Sequence, residues 1–387
     1  MQICGSPNEL VPFTRQGSSW LLGLPENQVA AESSGSHANS CAGSSAGAGR
    51  GGGVASSPQI REMEKQVNDV AIARGLTAGK VHAHHSAAVN SLDFHRSEDA
   101  LVTAADDDSV ALWSTESGEL NKTVPAKKYG ASCVTCTHHR DAVLTASRNG
   151  WDETVRYLSL FDNRYLRYFR GHSAPVKQVC MHPSDDHFLT AAKDGEVRMW
   201  DLRAPVCEGL LRCDSEPAIA FDEQGFIFAA SIRAGEVKLF DAGNYDRGPF
   251  ETQQVFPGEN PPLITHLQFS KSGNRLLAAH SNGFAVLDSY KFDLISSFSL
   301  RTGEPPGSEG GAMQRRVTFS PDGHHVVAGE ADGSVRVFNV SSSTELDRLK
   351  AHAAYPVVAK FSNKRMLAAT GALDGQLVLW SPQQRES

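Results

Sequence analysis

The sequence predicts an all-β protein, a seven-bladed β-propeller in which small antiparallel sheets are arranged around a central axis. Three observations carry this prediction. A unit with His, Asp and Trp recurs in constant register, successive units end about 40 to 51 residues apart, and the last unit ends too close to residue 387 to hold a fourth strand. A four-stranded sheet alone leaves its faces and edges exposed, whereas radial stacking covers both faces and leaves only short edges.

The clearest units share a fixed spacing. In three of them a His precedes a Trp by 28 residues, and an Asp precedes the same Trp by six. These nine positions are His85, Asp107, Trp113, His172, Asp194, Trp200, His352, Asp374 and Trp380. Four weaker units, which end near residues 158, 241, 288 and 338, bring the number of blades to seven.

This spacing is typical of WD repeats, in which the Asp bonds the His and the His links through a hydroxyl to the Trp indole. The hydroxyl position two residues before the Asp is Ala in all three units, and a Thr four residues before the Asp is the candidate replacement. These threonines are Thr103, Thr190 and Thr370. We interpret the nine residues as structural, because no nucleophile or carboxylate recurs beside them in a triad-like setting.

The two ends of the repeat region predict how the ring closes. After Trp380 only seven residues remain, too few for a fourth strand in the last blade. The segment Val67–Leu76 resembles the outer strands expected at 164–169 and 292–300. We therefore expect the last blade to be closed by this N-terminal strand.

The N-terminal region has a different composition from the repeats. Residues 30–58 contain 22 Gly, Ser or Ala in 29 positions, too little apolar surface to offset the entropy of ordering. We predict a disordered leader over 1–58, a short helix over 59–66, the propeller over 67–382 and a tail over 383–387. Within the leader, Trp20–Leu24 is either a short docking motif or part of a non-globular stretch.

Composition narrows the class of function. The net charge of −7 argues against a general nucleic-acid binder, and no apolar run or basic-then-apolar leader predicts a membrane span or secretory signal. Seven scattered cysteines, an odd number, suit a reducing compartment. Cys133 and Cys136 have CxxC spacing, but they fall in a strand-like stretch where residues three apart face opposite sides. We predict core cysteines, no metal site and no cofactor.

The second blade departs from the general repeat. Its sequence resembles the WD-repeat subunit shared by COMPASS-type histone lysine methyltransferase complexes and by PNUTS–phosphatase or cleavage–polyadenylation complexes. The resemblance is carried by Ala126–Gly130, Asp152–Leu160, Arg167–Phe169 and Gly171–Ser173. Further matches lie at 200–207, 221–230, 237–239 and 246–250. The resemblance spans about 67–382 and is strongest in blades two to four. Residues 1–58 and the loop Arg301–Gly311 lie outside it.

This resemblance implies a non-catalytic nuclear adaptor. Similar proteins bind a methyltransferase subunit in one complex and a phosphatase-targeting subunit in another, and they link both to the phosphorylated C-terminal domain of RNA polymerase II. The implied roles are histone methylation in chromatin and transcription termination. We expect a monomer within a larger protein complex, with no direct contact to nucleic acid or membrane.

One loop of the second blade is a candidate phosphopeptide site. Lys127, Lys128 and Tyr129 follow the predicted outer strand 119–124, on the face where peptides usually dock on such propellers. Two ammonium groups and a tyrosine suit a phosphoserine next to a proline. The alternative is a solvated turn. Arg156 and Arg167 are alternative cations for the same phosphate.

The alternatives to an adaptor are a cullin ubiquitin ligase receptor and an enzyme. Trp200-Asp-Leu-Arg203 fits the WDxR pattern of cullin ubiquitin ligase receptors, although it is also an ordinary blade ending. The sequence has no phosphate loop, metal-ligand array or nucleophile elbow, so we do not expect an enzyme or any catalytic residue.

Overall fold

Seven antiparallel sheets of four strands form the body of the protein in a computed structural model that describes residues 14–15, 75–150, 152–300 and 317–382. Blade 1 contains β3 (Val89–Phe94), β4 (Ala100–Ala105), β5 (Ser109–Ser114) and β6 (Leu120–Pro125). Blade 2 contains β7 (Val134–Cys136), β8 (Ala142–Ala146), β9 (Val155–Ser159) and β10 (Arg164–Phe169). Blade 3 contains β11 (Val176–Met181), β12 (His187–Ala192), β13 (Glu196–Asp201) and β14 (Ala204–Arg212). Blade 4 contains β15 (Ile219–Phe221), β16 (Ile227–Arg233), β17 (Glu236–Asp241) and β18 (Glu251–Gln254).

The remaining blades follow the same order. Blade 5 contains β19 (Ile264–Phe269), β20 (Arg275–His280), β21 (Gly283–Asp288) and β22 (Leu294–Ser299). Blade 6 contains β23 (Val317–Phe319), β24 (His325–Gly329), β25 (Ser334–Asn339) and β26 (Thr344–Lys350). Blade 7 contains β27 (Pro356–Phe361), β28 (Ala368–Ala372), β29 (Gln376–Pro382) and β2 (Leu76–Ala83). The predicted all-β, seven-bladed propeller is therefore confirmed.

The core is divided among the interfaces between blades. Seven clusters of buried apolar side chains occur in the described residues, one for each pair of neighbouring blades, including the pair of blade 7 and blade 1. Second strands such as β4 and β28 lie between two clusters and are almost completely buried, so their sequences are continuous runs of small and apolar residues. The fourth strands are partly exposed, and their sequences are mixed.

The ring closes as predicted, but with a different segment. β2 pairs antiparallel with β29 from Leu76 opposite Pro382 to Ala83 opposite Gln376. The expectation that Val67–Leu76 forms this strand is wrong, because the strand begins at Leu76, and residues 67–74 lie outside the described part of the chain. Apolar content misled the prediction, since most side chains of this outer strand face solvent and need not be apolar.

One further strand was not predicted. β1 (Thr14–Arg15) pairs antiparallel with the outer edge of blade 3, where Thr14 lies opposite Leu210. It falls in the leader that was expected to be disordered. The rest of that leader, the helix expected at 59–66, the loop at 301–311 and the tail at 383–387 lie outside the described residues.

The connections fall on two faces of the ring. We call the end with the second-to-third strand turns and the connections to the next blade the top face, and the opposite end the bottom face. The blades surround a channel of about 220 Å³, and on its bottom side Arg96 of blade 1 bonds Glu223 of blade 4 at 2.8 Å. No helix in the described part of the chain is long and apolar enough to span a membrane.

Candidate functional site

Blades 1 and 3 each contain a buried chain of hydrogen bonds that runs from the top turn to the Trp. In blade 1, His85 Nδ1 lies 3.2 Å from Asp107 and its Nε2 lies 2.8 Å from the Thr103 hydroxyl, to which the Trp113 indole donates at 2.9 Å. The Asp requires the His to donate from Nδ1, so a neutral His accepts the Thr hydroxyl proton at Nε2. The Thr oxygen is then left to accept from the indole.

Blade 3 repeats this hydrogen-bond geometry. His172 lies 2.9 Å from Asp194 and 2.7 Å from Thr190, which also accepts the Trp200 indole at 2.9 Å.

In blade 7, His352 and Trp380 both bond Thr370, at 2.6 and 2.8 Å, but His352 Nδ1 has no hydrogen-bond partner among the described residues. Burial lowers the pKa of His352 to about 4, and the charge of Asp374 only partly opposes this. The His and Trp side chains of the three units thus lie in blade interiors, whereas Asp374 is exposed on its turn. The Thr four residues before each Asp supplies the hydroxyl.

Arg156 lies beneath Tyr129 at the top of blade 2. Arg156 lies on β9 and is only 2 % exposed. Its guanidinium donates twice to Asp152, at 2.7 Å each, and once to Ser147. The same guanidinium lies 3.5 Å from the ring centre of Tyr129. Partial burial opposes ionisation of Asp152, but hydrogen bonds from Arg156 and Ser147 give that carboxyl a lowered pKa.

Three tyrosines form a continuous surface over Arg156, which we call the tyrosine cluster: Tyr129, Tyr165 and Tyr168. The rings of Tyr129 and Tyr165 lie 5.5 Å apart, and those of Tyr165 and Tyr168 lie 6.0 Å apart. A β-bulge in β10 between Tyr165 and Arg167 shifts the register, so that Tyr168 lies opposite Arg156. Tyr165 and Tyr168 were not predicted as site residues, because the bulge leaves no pattern in the sequence.

The two lysines stand at the edge of the tyrosine cluster. Both are exposed, and Lys128 Nζ lies 4.9 Å from the Tyr129 ring centre. A hydrogen bond between these two side chains raises the pKa of Lys128 and lowers that of Tyr129. The Lys127 carbonyl accepts from the Asn149 amide at 3.2 Å, which ties the loop to the neighbouring top turn.

The structure separates the two predicted arginines. Arg156 contacts the Tyr129 ring, but its two terminal nitrogens already donate to Ser147 and Asp152. This geometry is that of a residue that positions the ring. Arg167 points to the neighbouring blade, where its guanidinium donates to the Leu202 carbonyl. The cations left exposed at this surface are Lys127 and Lys128, with Arg170 5.8 Å from the Tyr168 ring centre.

The two cysteines with CxxC spacing lie in the interior of the propeller. Cys133 packs towards blade 3 and Cys136 towards blade 1, both buried as free thiols on opposite sides of the same sheet. Burial raises the pKa of the Cys136 thiol well above its usual range.

Among the described residues, two groups of side chains have potential metal-ligand atoms within 4.8 Å of one another. One group is His172, Asp194 and Glu196, and the other is His187, Asp201 and Glu208. The first belongs largely to the blade 3 hydrogen-bond chain. In the second, Asp201 is engaged by Arg203, at 2.8 Å between Oδ2 and the guanidinium. The WDxR tetrapeptide thus forms an ordinary end of β13, with Trp200 fully buried.

The ring of seven four-stranded blades and the His–Thr–Trp bonds define a WD-repeat β-propeller. The family model described as "WD domain, G-beta repeat" matches residues 77–114, 163–201 and 306–339. The chain is 36 % identical to "Protein ANTHESIS POMOTING FACTOR 1" of Arabidopsis thaliana, over 82 % of this chain and 94 % of that protein. It is 32 % identical to WD repeat-containing protein 82 of Drosophila melanogaster, over 81 % of this chain and 97 % of that protein.

A third relative covers a shorter region. The Set1 complex component swd2 of Schizosaccharomyces pombe is 39 % identical over 52 % of this chain and 57 % of that protein. The chain belongs to the family of WD-repeat proteins that includes these three relatives. The resemblance inferred from blade 2 is therefore confirmed.

Proposed function

We propose that this protein is a non-catalytic nuclear adaptor, a WD-repeat subunit of a Set1/COMPASS-type histone methyltransferase complex. In this role it links that complex, a phosphatase–termination complex, or both, to the phosphorylated C-terminal domain of RNA polymerase II. The observation that carries the proposal is the top of blade 2, where two exposed lysines stand beside a tyrosine held by a buried arginine. Membership in a family that includes a Set1 complex component supports the same role.

In this proposal each part of the site has a separate task. Lys127 and Lys128 bind the phosphoserine, because charge-assisted bonds to a phosphate are stronger than neutral ones and both ammonium groups are exposed. The half-buried ring of Tyr129 and the exposed edge of Tyr168 provide the flat apolar surface on which a proline packs. Arg156 fixes the ring of Tyr129 from below and does not reach the phosphate.

The test compares a heptad peptide phosphorylated on serine five with its unphosphorylated form. The full chain is expected to prefer the phosphorylated peptide. Lys127→Ala/Lys128→Ala is expected to weaken binding of that peptide by roughly 1.5–3 kcal/mol per lost charged bond and to leave the melting temperature nearly unchanged.

Lys291→Ala is the matched control, since Lys291 is an exposed lysine on the bottom face of blade 5. Binding by isothermal titration and melting by circular dichroism separate the two effects. Equal affinity for both peptides, or an undiminished preference in the double variant, contradicts this site.

A further inference from the structure

The bottom face carries a groove between blades 3 and 4 that the proposed function does not use. Its volume is about 930 Å³. It lies on the opposite face of the ring from the candidate phosphopeptide site of blade 2. Its walls come from the first-to-second strand connections of the two blades and from the connection between β17 and β18.

The β17–β18 connection is long and well fixed. It spans the nine residues 242–250, whereas the equivalent connections in blades 1, 2, 3, 5 and 6 have two to five residues. A 3-10 turn (Tyr245–Arg247) lies within it, and the buried Tyr245 donates its hydroxyl to the Glu208 carbonyl of blade 3 at 3.4 Å. Asp241 accepts from the backbone nitrogens of Gly243 and Asn244. An extended loop that is held this firmly builds a wall of defined shape.

Two phenylalanines are exposed on the lining of the groove, Phe226 in the β15–β16 connection and Phe250 in the β17–β18 connection. Phe226 is 71 % exposed and Phe250 is 58 % exposed, and both line the groove. Their backbones are fixed, because the Phe226 carbonyl accepts from Ala242 at 2.9 Å and the Phe250 nitrogen donates to Leu239 at 3.0 Å. Large apolar side chains exposed in one concave surface are typical of sites that receive an apolar anchor from a partner.

The charges that line the groove are mainly negative. Asp185, Glu208 and Asp241 supply three carboxylates. Among the described residues that line the groove, Arg247 is the single arginine and there is no lysine. His187 Nδ1 bonds Asp185 at 3.0 Å, and its Nε2 lies 3.4 Å from a carboxylate oxygen of Glu208.

The carboxyl groups of Asp185 and Asp241 are both ionised at neutral pH. Partial burial opposes ionisation of Asp185, but the backbone hydrogen bond from His187 and nearby imidazoles leave its pKa lowered. A side-chain hydrogen bond from Asn244 lowers the pKa of Asp241. The lining of the groove therefore combines two exposed aromatic side chains with several carboxylates.

We propose that this groove binds an extended peptide of a partner protein that carries an aromatic or branched aliphatic residue flanked by Lys or Arg. The apolar residue packs between Phe226 and Phe250, and the flanking cations lie against Asp185, Glu208 and Asp241. A phosphorylated peptide is repelled by the same carboxylates, so the two faces of the ring select partners of opposite charge.

The test uses the full chain and a fluorescein-labelled peptide, Gly-Lys-Leu-Trp-Arg-Lys-Gly. Two matched peptides accompany it, one with Glu in place of every Lys and Arg, and one with Ser in place of Leu and Trp. Fluorescence anisotropy is expected to show binding of the basic apolar peptide alone. Phe226→Ser/Phe250→Ser is expected to weaken that binding roughly tenfold or more. Asp185→Asn/Glu208→Gln is expected to weaken it and to reduce its dependence on salt.

Tyr290→Ser is the control variant, because Tyr290 is 78 % exposed on the bottom face of blade 5, away from the groove. The phosphorylated heptad peptide is titrated in parallel, and its affinity is expected to be unchanged in the groove variants. Circular dichroism checks that each variant is folded.

Several outcomes overturn the proposal. These are no binding of the basic apolar peptide, equal binding of the Glu peptide, or undiminished binding by folded Phe226→Ser/Phe250→Ser. A dimer in gel filtration that this variant abolishes makes a second copy the occupant. Tighter binding of a synthetic peptide of residues 17–26 makes a segment of this sequence the occupant.

Discussion

Blades 2 and 3 follow the same four-strand plan, but they use equivalent positions differently. Each has a Thr on its second strand that pairs with an Arg on its third, Thr145 with Arg156 and Thr190 with Arg198. In blade 3 the Thr190 hydroxyl joins His172 to Trp200. In blade 2 the residue that corresponds to this Trp is Leu158, and the Thr145 hydroxyl has no hydrogen-bond partner within the described ranges.

The loss of these bonds changes what the top of the blade can do. The connection before blade 3 carries His172, which is committed to the interior, whereas the connection before blade 2 carries the exposed Lys127 and Lys128. The second-to-third strand turn has three residues in blade 3 and eight in blade 2, and its Asp152 anchors Arg156. A blade that gives up the repeated hydrogen bonds gains a top surface that can carry charge and aromatic rings.

The largest difference is expected when the framework of blade 3 is removed. Trp200 is completely buried, so Trp200→Ala should cost about 3–5 kcal/mol through lost burial and the cavity it leaves. Urea unfolding measures this loss. A folded variant of unchanged stability that has lost one binding partner would show that Trp200 belongs to an interface.

The second prediction tests the two threonines directly. Thr190→Val leaves both His172 Nε2 and the Trp200 indole without a partner, and we expect a loss of about 1–3 kcal/mol. Thr145→Val removes a buried hydroxyl that makes no hydrogen bond, so the same substitution should be neutral or slightly stabilising. Similar losses in both variants would remove the proposed difference between the blades.

The third prediction extends the comparison to blade 7, whose His lacks the bond to Asp. The pKa of His352 is lowered to about 4 from an ordinary value of 6.5, so the unfolded chain binds a proton more readily than the folded one. Its neutral form therefore stabilises the fold fully above pH 6.5, and this contribution falls as the pH drops from 6.5 towards 4. We expect a loss on the order of 1–2 kcal/mol by pH 5.

His352→Gln measures how much of this pH dependence comes from His352. The pH dependence of its melting temperature between 6.5 and 4 should be shallower than in the unchanged protein. Some dependence should remain, because burial also lowers the pKa of His85 and His95. An identical slope in both proteins would contradict the assignment.

The smallest effect is expected in the connection before blade 2. Lys128 is exposed, so Lys128→Gln should change stability by less than about 0.5 kcal/mol. His172→Gln in the equivalent connection of blade 3 should cost more, because it disturbs bonds to both Asp194 and Thr190. Comparable losses from the two substitutions would mean that both connections belong to the framework.

The sequence predicted the fold well because its signals are local and repeated. The His-to-Trp spacing marks blades, and the absent last strand indicates how the ring closes. It was less informative for outer strands, because a strand with a solvent-exposed face does not need apolar residues. The closing strand was predicted at Val67–Leu76, whereas the structure forms it from the more polar Leu76–Ala83. The loop at Lys127–Tyr129 was found from the charges and the resemblance.

The rest of the site depends on tertiary contacts. The place of Tyr168 is decided by a β-bulge, and the burial of Arg156 is decided by rings from two other elements. Neither Arg156 nor Arg167 could be assigned a direction from alternation alone. The groove of the bottom face depends on how a nine-residue connection of blade 4 folds against blade 3, which no local pattern indicates.

The closing strand also sets an order of events during synthesis. Thr77 bonds the backbone of Ser381, a residue 304 positions later in the chain. A ribosome adding about 5–20 residues per second needs on the order of 15–60 s to make the intervening segment. During that interval the outer edge of β29 does not yet exist and β2 is unpaired. Until β29 has left the ribosome, the first six blades form an open arc, and we expect chaperones to be most strongly engaged then.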